Sequence, residues 1–229
     1  MEPNADSATT RAVREVRDRL DERLQANDRP GAVRSAVEAV TEGRVDIVTL
    51  YRDVLTPLLV DTGSAWQSGQ VAVWQEHLAS ATVRTIVEGL YPEVLKVRAA
   101  ATPVGRKVLL ACPSQETHDL GLRMVSDRFD MAGWTTYFLG ADTPVSQIVE
   151  AARGLDVDAI VVSSSTHFHR VALRTFLEQL MEALPGVRVW VGGAAFARDR
   201  DWPADELIDL EQVLAHPERW GEATQATDV

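Results

Sequence analysis

The first half of the chain places its apolar residues at helical spacing. In "TRAVREVRDRLDERLQAN", starting at Thr10, the residues Val13, Val16, Leu20 and Leu24 share one face and charges occupy the others, the pattern of an amphipathic helix. Asn27, Asp28 and Pro30 signal a second helix, which ends near Gly43. "VDIVTLYRDVLTPLLVDTGSAWQSG" reads as a third, with Pro57 forcing a kink or an adjustment. "QVAVWQEHLASATVRTIVEGLYPEVL" reads as a fourth, ending near Pro92. Four helices with short connections predict an antiparallel bundle over residues 1–97.

The stretch 96–106, "KVRAAATPVGR", has the small-residue, Pro and Gly content of a linker. Beyond it the period changes. "KVLLACP", "TTYFLG", "DAIVVSSS" and "VRVWVGG" are short apolar, β-rich runs, and "ELIDL" is a weaker fifth. Helical stretches are expected between and after them, at 119–132, 144–154, 169–184 and roughly 211–220. That alternation predicts a parallel sheet covered on both faces. The fold class is α/β, a four-helix bundle followed by a flavodoxin- or Rossmann-like domain at 106–229. Such sheets bind ligands beyond the carboxyl ends of their strands, where the strand order reverses. Three polar or glycine-rich turns fall at that rim: "SQETHDLG" after the first strand, "SSSTHFHR" after the third and "GGAAF" after the fourth.

Composition narrows the function. A formal net charge of -11 gives nucleic acid no general electrostatic attraction. The one cysteine, Cys112, excludes an intrachain disulfide and fits a reducing cytoplasm. At the end of an apolar strand it reads as a small buried side chain. No apolar run approaches a membrane span, and the N-terminus lacks the layout of a signal peptide. The expectation is a cytoplasmic protein without a membrane partner.

The rim carries Glu116-Thr117-His118-Asp-Leu-Gly121, then 41 residues to Ser163-Ser-Ser165, then 26 residues to Gly192-Gly193. Alone, the first segment also suits a helix start, where acidic residues are favoured. Together the elements resemble cobalamin-binding modules, which carry Asp-x-His-x-x-Gly, Ser-x-Leu and Gly-Gly at such separations. The departures are Glu116 for Asp and Ser165 for Leu. The resemblance implies that His118 coordinates cobalt from the lower face, a role suited to neutral imidazole. Glu116 would orient the ring by a hydrogen bond. Thr117, Gly121, Ser163, Ser165, Gly192 and Gly193 would line the path of the nucleotide tail.

In the helical half, Trp66 is followed after nine residues by Glu76-His77. This W-x9-EH spacing resembles cobalamin-dependent photoreceptors, best known as light-released repressors, in which the set caps a 5′-deoxyadenosyl group. The cofactor implied is adenosylcobalamin. The bland alternative places Trp66, Trp74 and Leu78 in the bundle core, and Trp74 is assigned there. Where those repressors carry a further His after the Trp, this chain has Gln67. The segment ahead of the first helix is too short for their winged-helix module, so no direct nucleic-acid contact is expected. Stand-alone members of the group include photocobilins, which hold a bilin beside the cobalamin. His167 and His169 are the candidate contacts to such a biliverdin, or else a helix cap and a surface residue. His216 is read as structural.

The expectation is a non-enzymatic light sensor. Photolysis of the cobalt–carbon bond would change conformation, self-association (a dimer being favoured) or contact with a regulatory or enzyme partner. A corrinoid carrier for methyl transfer shares the His118 chemistry and is the main alternative. A cobalamin store without a signal is a third.

Overall fold

The computed structural model describes residues 5–165, 170–197, 202–204 and 206–216. Two compact units divide the chain, Met1–Val97 and Arg98–Val229.

The first unit is helical. Helix α1 (Ala5–Gln25) buries Val16 and Leu20, two residues of the expected stripe. Helix α2 (Arg29–Thr41) begins at Asp28, whose carboxylate accepts the Gly31 N–H at 2.9 Å with Pro30 in the first turn, a start in which Pro removes an N–H that would have no helical partner. The third helical run is continuous but changes winding. A turn of α3 (Ile47–Thr49) passes into a π-helical segment, Leu50–Leu55, and then into α4 (Thr56–Gln67). The wider turn sits just before Pro57. There a proline lacks its N–H and crowds the carbonyl four residues back. The Thr56 N–H and hydroxyl both donate to the Tyr51 carbonyl, the hydroxyl at 2.8 Å. Sequence alone admits a kink or an adjustment, and the structure takes the adjustment.

Helix α5 runs from Val73 to Ala100 with Pro92 inside it. It therefore does not end near Pro92, and the connection to the next element starts after Ala100, not at 96. Leu90 and Val94, on either side of the proline, are fully buried. That burial outweighs the cost of a proline in a helix interior, ~3 kcal/mol. Trp74 is also not in a core: it is 56% exposed, and Leu78 one turn on is exposed as well.

The second unit holds β1 (Lys107–Pro113), β2 (Thr135–Thr143), β3 (Ala159–Ser163), β4 (Arg188–Gly192) and a two-residue β5 (Glu206–Leu207). All pair parallel, in the order β2-β1-β3-β4-β5. This is the flavodoxin-like order, whose topological switch lies between β1 and β3. Alternating side chains build two cores. Leu109, Ala111, Ile160, Val162, Val189 and Val191 pack under α7 (Val145–Leu155) and α8 (Arg170–Ala183). Val108, Leu110, Cys112, Val161 and Trp190 face α6 (Leu120–Met131) and α10 (Leu210–Ala215). A short helix α9 (Ala194–Ala197), which apolar spacing is too brief to reveal, follows β4. The centroids of Phe129 and Trp134 lie 5.3 Å apart, edge to face. Opposite Ala111 the edge strand is irregular: Leu110 pairs Phe138 while Ala111 pairs Gly140. Gly140 has φ +81°. The extra residue shifts the pairing, and the strand continues to Thr143.

Candidate functional site

At the switch point β1 ends at Pro113, and residues 114–119 lead into α6. The turn closes when the Glu116 N–H donates to the Pro113 carbonyl at 3.0 Å. It folds the Glu116 side chain inward, leaving it 3% exposed. Four donors converge on that carboxylate. Oε1 accepts from the His118 N–H at 2.9 Å and lies 2.6 Å from His118 Nδ1. Oε2 accepts from the Ser164 hydroxyl at 3.0 Å and the Ser165 N–H at 2.7 Å. Burial pushes the carboxyl pKa up, but these bonds, led by the His118 and Ser165 N–H groups, outweigh it and hold the pKa below its ordinary value. Glu116 is therefore an anion that bridges the ends of β1 and β3.

An ionised carboxylate only accepts, so the short contact to Nδ1 selects the His118 tautomer with its proton there. The lone pair is then on Nε2. The ring side chain is 63% exposed while its orienting carboxylate is buried. A fixed imidazole with an outward lone pair and a carboxylate behind it is a good single ligand for a borderline transition metal. Among the described residues, no group of three or more His, Cys, Asp or Glu could hold a metal ion. This donor set fits a metal whose remaining ligands arrive with a macrocycle.

The other expected rim residues separate into two kinds. Thr117 is exposed, and a Cβ at Gly121 would meet nothing within 4 Å, so this side of the turn is open. Gly193 is a packing requirement: φ is +95° and a Cβ would lie 2.4 Å from the Ser164 carbonyl. A Cβ on Gly192 would meet Ile208 at 3.2 Å. Ser163 is half-buried at the end of β3, beside Gly193. The serine side chain that reaches Glu116 is Ser164, between the two expected ones, and Ser165 contributes through its backbone. His167 and His169 lie outside the described residues. Cys112 is fully buried, and burial, then the charges of Glu116 and Asp119, push its thiol up to about 12, as suits an inert packing residue.

In the helical unit, Trp66 stands in the last turn of α4 and Glu76-His77 in the first turn of α5. Gly69, with φ +75°, turns the chain between them. Trp66 is 45% exposed, so it is not a core residue of its unit. Glu76 Oε2 lies 2.5 Å from His77 Nδ1, and Oε1 accepts from the Ser80 hydroxyl at 2.5 Å. One end of the unit thus presents a flat aromatic surface and a paired carboxylate and imidazole.

Comparison with known proteins agrees with this chemistry. Residues 106–211 match a family model described as a B12 binding domain, and residues 16–91 match a second of the same description. The chain is 35% identical over 148 residues to the HTH-type transcriptional repressor CarH of Myxococcus xanthus, covering 63% of this chain and 47% of that protein. Against the repressor CarA of the same organism it is 30% identical, covering 65% and 48%. The chain therefore spans about half the length of these two relatives. It is also 26% identical to trimethylamine corrinoid protein 1 of Methanosarcina acetivorans, over 73% of this chain and 78% of that one. The solved monomethylamine corrinoid protein of Methanosarcina barkeri shares the fold, with a TM-score of 0.68 and 20% identity over 80% and 85% of the two chains. The chain carries B12 binding domains, and the cofactor they indicate is a cobalamin or related corrinoid.

Proposed function

We propose that this protein is a light sensor that binds adenosylcobalamin, with His118 as the lower cobalt ligand and Trp66, Glu76 and His77 recognising the upper adenosyl group. The observation that carries the reading is Trp66. A tryptophan left 45% exposed at a helix end, one turn of chain from a Glu–His pair, suits recognition of a flat adenosyl moiety better than bundle packing. The 35% identity to CarH over 148 residues supports it.

The cofactor supplies a photolabile cobalt–carbon bond; the protein supplies selection and response. Glu116 keeps His118 in the tautomer that presents Nε2 and fixes the orientation of its ring. Trp66, Glu76 and His77 interact with the adenosyl group only while it is attached. Its loss removes contacts that favour the dark conformation, which shifts the population toward another. The output is a change in self-association, a dimer being the favoured state, or in contact with a regulatory or enzyme partner. The chain itself catalyses no reaction under this proposal. The proposal extends to a bilin as second chromophore, tested by whether biliverdin adds a far-red band on reconstitution.

The alternative is a corrinoid carrier for methyl transfer, favoured by one observation. The corrinoid proteins align over about three quarters of their length, the repressors over about half. Competition between adenosyl- and methylcobalamin separates the two. Under the sensor reading, wild-type protein prefers adenosylcobalamin and Trp66→Ala loses roughly 10-fold or more of that preference, the worth of one aromatic contact. Equal affinity for both cofactors, unchanged by Trp66→Ala, favours the carrier.

A further inference from the structure

We infer that Asp142, at the end of β2, is a positioning residue for the cobalt ligand. This inference rests on the reading of His118 as that ligand. Residues 114–119 are anchored from two sides. On the β3 side Ser164 and Ser165 hold the Glu116 carboxylate. On the β2 side both links run through Asp142. Its Oδ1 accepts the Gln115 N–H at 2.7 Å, and its own N–H donates to the Glu116 carbonyl at 2.9 Å. The two bonds fix the 114–115 and 116–117 peptides, which enclose Gln115 and Glu116 just ahead of His118.

The backbone marks the same place. Gln115 has φ +71° and Asp142 has φ +50°, two of only four non-glycine residues with positive φ among the described residues. Left-handed backbone at a non-glycine residue is strained and persists only where its surroundings over-determine it. Here the surroundings are each other: the strained residue in the ligand loop donates to the strained residue at the strand end. Aspartate is among the few residues that tolerate this conformation, and its short side chain reaches a neighbouring N–H. Asp142 itself is exposed and serves no core. Its bonds are spent on the loop that carries Glu116 and His118. The β2 irregularity at Gly140 lies two residues before it, and re-aiming a residue is a common role for such bulges beside functional sites.

Three variants of the full chain separate backbone from hydrogen bond. Asp142→Asn keeps an Oδ1 acceptor and tolerance of positive φ. Asp142→Gly keeps the backbone freedom and loses the acceptor. Asp142→Ala loses both. Each is loaded with adenosylcobalamin in the dark at one pH, and the His-ligated fraction is read from the absorption spectrum. Circular dichroism of the apo protein checks folding, and His118→Ala provides the spectrum without the ligand. The expected result is a wild-type spectrum for the Asn variant. For the Gly variant the His-ligated to His-free ratio falls roughly tenfold, the worth of about one hydrogen bond, and for the Ala variant, which also meets positive φ, it falls further. If His118→Ala changes the spectrum while folded Gly and Ala variants match wild type, the role given to Asp142 is wrong and the ligand reading stands. If His118→Ala leaves the spectrum unchanged, both fall.

Discussion

Replacing Glu116 with Gln removes the charge from the centre of the site and keeps its shape. Each carboxylate oxygen receives two donors, from His118 on one side and from Ser164 and Ser165 on the other. A glutamine offers one oxygen and one NH2 group, so it satisfies only one side. The cheaper orientation turns the NH2 toward the serines. There the Ser164 hydroxyl rotates to accept, and the Ser165 N–H is left without its acceptor, costing about 1–3 kcal/mol. On the other side the two bonds from His118 lose their ionised acceptor, each weakening by roughly half. Together the sheet unit loses about 2–4 kcal/mol. Urea unfolding of apo protein at pH 7, followed by near-ultraviolet circular dichroism, measures it. The pH dependence supplies the sign. The folded Glu116 carboxyl titrates below its ordinary value of 4.5, so its contribution is fully present above that value and is lost as pH falls through the folded pKa. The gap between wild type and Glu116→Gln is therefore constant near neutrality and closes in acid. Equal stability at pH 7, or a gap that widens toward low pH, refutes the reasoning.

Two glycines of the rim behave oppositely under the same substitution. Gly193→Ala combines positive φ with a Cβ 2.4 Å from the Ser164 carbonyl and costs at least about 2 kcal/mol in urea unfolding. Gly121→Ala meets nothing and lies in the first turn of α6. It leaves stability unchanged or raised by up to about 1 kcal/mol, while weakening cobalamin binding if the nucleotide tail passes there. Cys112, with its thiol pushed up to about 12 and no exposure, resists iodoacetamide at pH 8 in the native protein and reacts once urea unfolds the sheet unit. Rapid native labelling at one equivalent contradicts that burial.

The strands were legible because a doubly covered parallel sheet needs continuous apolar runs, and β1, β3 and β4 consist of little else. The passage of α5 through Pro92 was not, since local signals there favour a stop and only the burial of Leu90 and Val94 overrides them. Trp74 misled for the converse reason: helical spacing shows that a residue shares a face with Leu78, not whether that face is covered. At the site, the Glu116–His118 pair was readable through the resemblance to Asp-x-His-x-x-Gly modules, since the segment alone also suits a helix start. Ser164 was not, because which of three consecutive serines turns toward Glu116 depends on where β3 ends and how far a glutamate reaches. Asp142 was invisible as well. It lies 27 residues from Gln115 in sequence, and its role arises only when β1 and β2 pair.

The most direct test of the central claim is one pair of spectra with a size measurement. Purified protein is loaded with adenosylcobalamin in the dark, and its absorption and hydrodynamic size are recorded before and after green light. The account predicts a His118-dependent dark spectrum, irreversible conversion to a cob(III)alamin form, and a light-induced change in size or partner binding that Trp66→Ala diminishes. Photolysis indistinguishable from that of free cofactor, with no change in size or partner binding, contradicts the sensor and leaves a corrinoid carrier or a cobalamin store.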